Sequence, residues 1–399
     1  MRLPRSCRPR SARRAGAVLV LLAVAAAGAS GCGDVSSASD GANGNVRETP
    51  ATPADFAKVY AKANGGAVIR LAPGEYGEFT GGKKSAPVTV RGPVDGVAKL
   101  GLKLEGPQRL VVDHVTITDA YLNAATDVTI RRSTFVGMTR VDAFARRANI
   151  LFSHDVFAAV DPCSTCYEGR LAVRGDDHPD GAPVGVTIRD CRFGPGGTAD
   201  GIQIIGAAEG VRIGPGNRFA GLAQSQAPGA PHTDPIQLYG SNRTVITGNW
   251  MHDNATGIMA PDGSNNEIIT NNVIETTGYP WPIVMGGALG NKVMHNTLPG
   301  SGSIEIDKSN AGDPSTGVVA RDNTARAIVN ARGGTPVGVQ QDHNLLAYGA
   351  RGAGDVRGRP RFVGGAKPKS YAGFRLAHSS AGRRGASNGS DIGIAAHGG

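Results

Sequence analysis

The chain has 399 residues, of which 59 are glycine, 5% are aromatic and 19% are charged. Six of the basic residues behind its formal charge of +9 lie at the N-terminus. Arg2, Arg5, Arg8, Arg10, Arg13 and Arg14 all precede the first acid, Asp34, and setting them aside leaves 36 basic against 33 acidic residues, a net of +3. That near balance removes the compositional argument for nucleic-acid binding, and abundant glycine with short β-branched runs points to many turns between short strands.

Residues 1–32 combine a basic n-region, the apolar stretch "AGAVLVLLAVAAAGA" and a small-residue end, "ASGC". This is the pattern of an export signal, too short and too alanine-rich at its end for a stable membrane span. "ASGC" resembles a bacterial lipobox, with Ala29 where leucine is usual. The resemblance implies lipidation of Cys32, which would become the mature N-terminus and tether the protein to the cell envelope; simple secretion is the alternative. Residues 33–51 read as a flexible linker of small and polar residues. The expected domain spans 52–399 and opens on "TPADFAKVYAKAN", where Pro53 precedes Phe56, Tyr60 and Ala63 at helical spacing, a short amphipathic helix suited to capping an open core.

Cys7 lies in the signal and Cys32 at the lipobox, leaving Cys163, Cys166 and Cys191. Outside the cytoplasm a disulfide with one thiol left over is the plain reading. A zinc site of the three cysteines with His178 is the alternative.

An internal repeat dominates the rest. "DVTIRRSTF" (127–135), "NILFSHDVF" (149–157), "GVTIRDCRF" (185–193), "GVRIGPGNRF" (210–219), "TVITGNWM" (244–251), "EIITNNVI" (267–274) and "KVMHNTL" (292–298) align as short alternating strands that bend through a polar residue. Asn217, Asn249, Asn272, Asn296, Asn323 and Asn344 recur at spacings of 32, 23, 24, 27 and 21. Asparagine tolerates the left-handed backbone of a tight bend, and stacked asparagines can hydrogen-bond along a ladder. A unit this short, without a repeated helix, fits a coil of about three strands per turn.

On these residues the chain resembles the right-handed parallel β-helix proteins of the pectate-lyase-like superfamily. The first rung "GGAVIRLAPGEYGEFT" and the closing stretch "DHNLLAYGARGAGDVRGRPRFVGG…YAGFRLAHSSAGRRGASNGSDIGI" carry the likeness, over about residues 52–395. The resemblance implies an all-β solenoid fold and leaves the activity open.

A second set of rung strands aligns on Leu171, Ile202, Ile236, Ile258, Ile283 and Ile304. Two of them repeat a phrase, "DGIQIIG" (200–206) and "DPIQLYG" (234–240), with Gln203 and Gln237 at outward positions and Asp200 and Asp234 recurring beside them. Stacked carboxylates repel unless a cation, a basic group or a shared proton intervenes. Loop insertions border these rungs and point to a cleft built of Arg170, Arg174, Asp200, Gln203, His232, Asp234, Gln237 and Tyr239.

For a uronic-acid polysaccharide, β-elimination needs a group that neutralises the carboxylate, a base for the C5 proton and an acid for the leaving oxygen. Gln203, Gln237 and Arg170 would bind substrate, Asp200 and Asp234 would hold a calcium ion, His232 or Arg174 would be the base and Tyr239 the acid. Glycoside hydrolysis by Asp200 and Asp234 is an alternative, although the galacturonase Gly-His-Gly motif is missing. C5 epimerisation is a third, with "HTDP" (232–235) a weak echo of an epimerase signature. The non-enzymatic alternative is a glycan-binding or display solenoid in which the glutamines form an amide ladder. "GDDHPDG" (175–181) is a further candidate calcium loop. The expected partners are a polysaccharide and, through the lipid anchor alone, a membrane; no nucleic acid is expected, and the protein is expected to be a monomer.

Overall fold

The computed structural model describes residues 48–142, 148–162, 168–175, 185–206, 210–226, 232–349 and 352–394. Cys32, Cys163, Cys166, His178 and most of the 175–181 loop lie outside them. Twenty-eight of the described strands join in one continuous parallel set, and Thr324–Ala325, Leu345–Leu346 and Val356–Arg357 form a second.

Through the middle of the coil, from Thr134–Phe135 to Lys292–Met294, strands pair with the one three places ahead. Asp200–Ile205 lies beside Ile236–Tyr239, while the intervening Arg212–Ile213 and Arg218–Ala220 lie beside Val245–Thr247 and Trp250–Asn254. A chain that returns to its own neighbour every third strand is a three-faced parallel β-helix. The rung alignment read from sequence is the observed register, with Leu171, Ile202, Ile236, Ile258, Ile283 and Ile304 in one column.

The core follows from stacking. Phe135, Phe157, Phe193 and Phe219 sit on consecutive rungs with ring centroids 4.4, 4.5 and 4.5 Å apart, nearly parallel. Met251 and Ile274 continue the column. All six are buried, and area removed from water at about 25 cal/mol per Å² makes this column a main source of stability.

At the bend before that column runs the asparagine ladder. Each Nδ2 donates to the Oδ1 of the next rung: Asn217 to Asn249 at 3.0 Å, then Asn272 at 2.9, Asn296 at 3.0, Asn323 at 3.1 and Asn344 at 3.1 Å. The reason for asparagine differs from the expected one. The left-handed residue is the one before it: Gly216, Gly248, Asn271, His295, Asp322 and His343 carry the positive φ. The ladder residues serve as paired donors and acceptors for buried main chain, such as Asn272 Oδ1 accepting from Asn249 N. Cys191 occupies the same column one rung before Asn217; its N–H donates to Asn217 Oδ1 and its buried thiol donates to Arg189 O. It is a free thiol, which takes it out of both the disulfide and the zinc alternatives.

The N-terminal cap is the helix Phe56–Lys62, whose Phe56 and Tyr60 pack on Phe79 with centroids 4.9 and 4.7 Å away. The solenoid begins earlier than expected. Glu48–Ala51, within the stretch read as linker, pairs with Val68–Leu71, and Glu48 holds Arg70 and Arg91 at 2.8 and 3.0 Å. Among the described residues no helix is long and apolar enough to cross a membrane.

Candidate functional site

The repeated phrase places its two polar residues on different sides of the wall. Gln203 and Gln237 face outward in register, and the column continues through Met259 and Val284 to Glu305. The Gln203 amide is bracketed: Nε2 donates to Gln237 Oε1, and Oε1 accepts from Glu168 N at 3.1 Å. The aspartates have the parity of the core isoleucines, two residues before Ile202 and Ile236, and so turn inward at the bend.

Asp200 and Asp234 are 1% and 2% exposed. Asp200 Oδ1 accepts from Asp234 N at 2.6 Å, and Asp234 Oδ1 from Thr256 Oγ1 at 2.6 Å. Asp200 Oδ2 is buried without a partner. Burial raises both carboxyls above the ordinary aspartate range, and the Asp234 charge raises Asp200 further. The pair, expected to line the cleft, is a buried step in a polar ladder, and of the two Asp234 alone reaches the cleft.

Arg170 is covered by loops. It is fully buried, and its guanidinium donates to the carbonyls of Ala158 at 2.9 Å, Gly197 at 3.2 Å, Ala199 and Gly196. Its donors fasten two loop segments, at Ala158 and at Gly196–Ala199, to the solenoid, so a substrate-contact role does not fit its geometry. Tyr239 is 53% exposed and belongs to the next outward column with Arg174 and Ile205. Neither Tyr239 nor Arg174 lines the cleft. Arg174 faces Asp142 in register, beside Tyr121.

The cleft, about 490 Å³, runs along the Gln237–Glu305 column and is walled by groups that the repeated phrase did not reveal. Tyr279 and Trp281 come from the turn between the strands Val273–Thr276 and Ile283–Gly286, which Thr276 Oγ1 fixes by donating to Tyr279 O at 2.6 Å. Their rings meet edge to face at 5.5 Å, and Tyr279 lies 5.7 Å from the His232 ring. His232 is exposed; the adjacent Thr233 is buried and anchored by Thr233 Oγ1 to Thr198 O at 3.0 Å. Burial, then the charges of Glu305 and Asp234, raise the Tyr279 phenol above its ordinary value, so it stays a proton donor at neutral pH.

Arg332 closes the far end. Its Nε lies 3.1 Å from Glu305 Oε1 and its Nη1 3.3 Å from Asn310 Oδ1. The loop carrying it is clamped by Asp307, whose carboxylate accepts from Arg332 N at 2.6 Å, Gly334 N at 2.8 Å and Lys308 N at 2.7 Å. Two glycines make room: a Cβ at Gly286 would stand 2.7 Å from Arg332 Nη2, and one at Gly334 would stand 2.3 Å from Asp307 Oδ1. Among the described residues no cluster of three or more His, Cys, Asp or Glu is placed to hold a metal ion.

A family model described as a right handed beta helix region matches residues 171–337. No curated protein sequence matches the chain. Among solved structures, the PL6 family alginate lyase AlyGC is 17% identical with a TM-score of 0.53, over 87% of this chain and 58% of that one. Pectate lyase Pel9A is 16% identical at 0.43, over 87% and 95%. A mannuronic acid specific polysaccharide family 6 lyase from human gut microbiota is 15% identical at 0.43, over 78% and 83%. At these identities the likeness is one of fold, and this chain spans 58% of the length of AlyGC. The protein is a right-handed parallel β-helix.

Proposed function

We propose that the protein is an exported, lipid-anchored polysaccharide lyase that cleaves a uronic-acid-containing chain by β-elimination in the Gln237–Glu305 cleft. The observation that carries this reading is the meeting in one open cleft of a guanidinium, Arg332, an imidazole, His232, and a phenol held protonated, Tyr279. These are the three group types the reaction needs. Arg332 and the Gln237 amide pair with the uronate carboxylate and favour the charge that develops when the C5 proton leaves. His232 takes that proton, and the C5 electron pair forms the C4–C5 double bond as the C4–O bond breaks. Tyr279 gives its proton to the departing oxygen. Trp281 offers an aromatic face to a sugar ring. The fold shared with AlyGC, an alginate lyase, supports the same substrate class.

Hydrolysis by a carboxylate pair is less well supported. Asp200 and Asp234 are both buried in hydrogen bonds. Asp234 and Glu305, the carboxyls that line the cleft, stand three rungs apart, about 14 Å along the axis, beyond the separation either hydrolytic geometry uses. Calcium at Asp200 and Asp234 is a competing occupant of the space a shared proton would fill. Six to eight oxygens are the usual calcium shell, and Asp234 Oδ1 is already taken by Thr256; no step above runs through a metal.

Calorimetric titration of the protein with uronate oligomers tests the placement. Arg332→Ala and Gln237→Ala are expected to weaken binding by about tenfold or more. Unchanged affinity in both variants would move the substrate out of this cleft.

A further inference from the structure

The cleft has a neighbour. A groove of about 710 Å³ begins where the cleft wall begins: Glu275 and Thr276 line it from the start of the turn whose Tyr279 and Trp281 line the cleft. Its opposite side is the C-terminal segment, which contributes Arg359, Arg361 and Lys367. Leu298 and Phe362 give it apolar surface.

Charge along the chain is uneven in a way the net value hides. Residues 351–399 hold nine Lys and Arg against two Asp and Glu, a net of +7, so residues 33–350 carry a net of −4. Three of these cations, Arg359, Arg361 and Lys367, line this groove. Beside it, Arg359 Nη2 donates to Tyr348 Oη at 3.2 Å and the Arg326 guanidinium lies 5.4 Å from the same ring. Among the described residues, Arg326, Arg357, Arg359, Arg361 and Lys367 have no carboxylate ion-pair partner. An uncompensated cluster repels itself and lowers the stability of the fold. A polyanion laid in the groove would remove that repulsion. Guanidinium forks match carboxylate and sulfate groups, and Leu298 and Phe362 suit the apolar faces of sugar rings.

We infer that this groove is a second binding site for an acidic polysaccharide, one that holds the polymer by its carboxylate or sulfate groups without acting on it. Its lining has no His or Tyr, and its single carboxyl, Glu275, has no second proton-moving acid or base beside it in the lining. The inference concerns binding alone and stands if the cleft proves catalytically inactive.

The test is fluorescence anisotropy with labelled oligogalacturonate, oligoalginate and chondroitin sulfate oligomers on the full mature chain. The combined variant Arg359→Ala, Arg361→Ala, Lys367→Ala is compared with Arg332→Ala in the cleft. The groove variant is expected to weaken binding of at least one oligomer about tenfold, with a melting temperature at or above the wild-type value, since the repulsion is relieved, and a reduced salt dependence. A charge-preserving Arg359→Lys, Arg361→Lys variant should retain most of the binding, which a merely misfolded segment would not. Wild-type affinity in the triple alanine variant would overturn the inference. So would wild-type binding to vesicles containing anionic lipid with none to the oligomers, which would make the patch a membrane contact. Inorganic sulfate that binds while every oligomer fails would equally overturn it.

Discussion

Arg332 Nε sits 3.1 Å from Glu305 Oε1, in the same outward column as Gln203, four rungs away. The pair is the only one of the cleft's ion pairs among the described residues to bridge the solenoid wall and a clamped loop. Glu305 is buried and burial raises its carboxyl, while Arg332 opposes the rise. Arg332→Ala is therefore expected to cost about 1–3 kcal/mol, because it leaves a buried acid unpaired, and also to weaken uronate binding in the cleft about tenfold or more. Glu305→Gln should restore most of the stability in the double variant without restoring binding. Thermal melts and titration together separate the two effects.

Tyr279→Phe removes the proton donor and keeps the ring. Turnover should fall about 100-fold or more, with melting temperature and oligomer affinity nearly unchanged. Tyr239→Phe, on the neighbouring outward column, should leave turnover at the wild-type level.

The Asp200–Asp234 pair gives stability a pH dependence of definite sign. Both carboxyls are raised above their ordinary value of 3.8, so the folded state binds more protons than the unfolded state above that pH. Stability is fully present below about pH 4 and is lost as pH rises through the folded-state values. Asp200→Asn should match the wild type at pH 4 and exceed it at pH 8 by on the order of 1–3 kcal/mol. Calcium that raises the wild-type melting temperature at pH 8, and fails to do so in Asp200→Asn, would replace the shared proton with a cation.

Asn296→Ala cuts the ladder in the middle. It leaves the Asn272 amide, the Asn272 N–H and the Asn323 Oδ1 short of a partner inside the wall. A loss of about 2–4 kcal/mol is expected. Gln203→Ala, at the edge of the cleft, should lower the melting temperature far less and impair glycan binding more.

If Cys32 carries a lipid, Cys32→Ser should move the protein from the membrane fraction to the soluble one. Membrane association that persists in the variant would rule out that anchor.

The parts of the fold fixed by repetition were legible in the sequence. The isoleucine column and the asparagine spacing each encode one register, since stacking like on like leaves a single pairing. The site was legible only where it repeats. Gln203 and Gln237 announce their column, and Glu305, next to the aligned Ile304, stands in the same column three rungs beyond Gln237. Parity gave a second unused signal: Asp200 and Asp234 stand two residues before core isoleucines and had to turn inward. Arg170 precedes Leu171 and reads as outward, but the loops around Ala158 and Gly196–Ala199 fold over it. Arg332, Tyr279 and Trp281 come from single loops with no repeat, and only the coil's closure brings them to the cleft.

The most direct measurement is ultraviolet absorbance of unsaturated uronate. The mature protein from Gly33 onward would be incubated with pectate, alginate, hyaluronan, chondroitin and gellan-type polymers, each with calcium and with chelator. A rise in absorbance on at least one polymer, lost in Tyr279→Phe, is the predicted result. New reducing ends without absorbance, or neither signal on any of the five, would contradict β-elimination in this cleft.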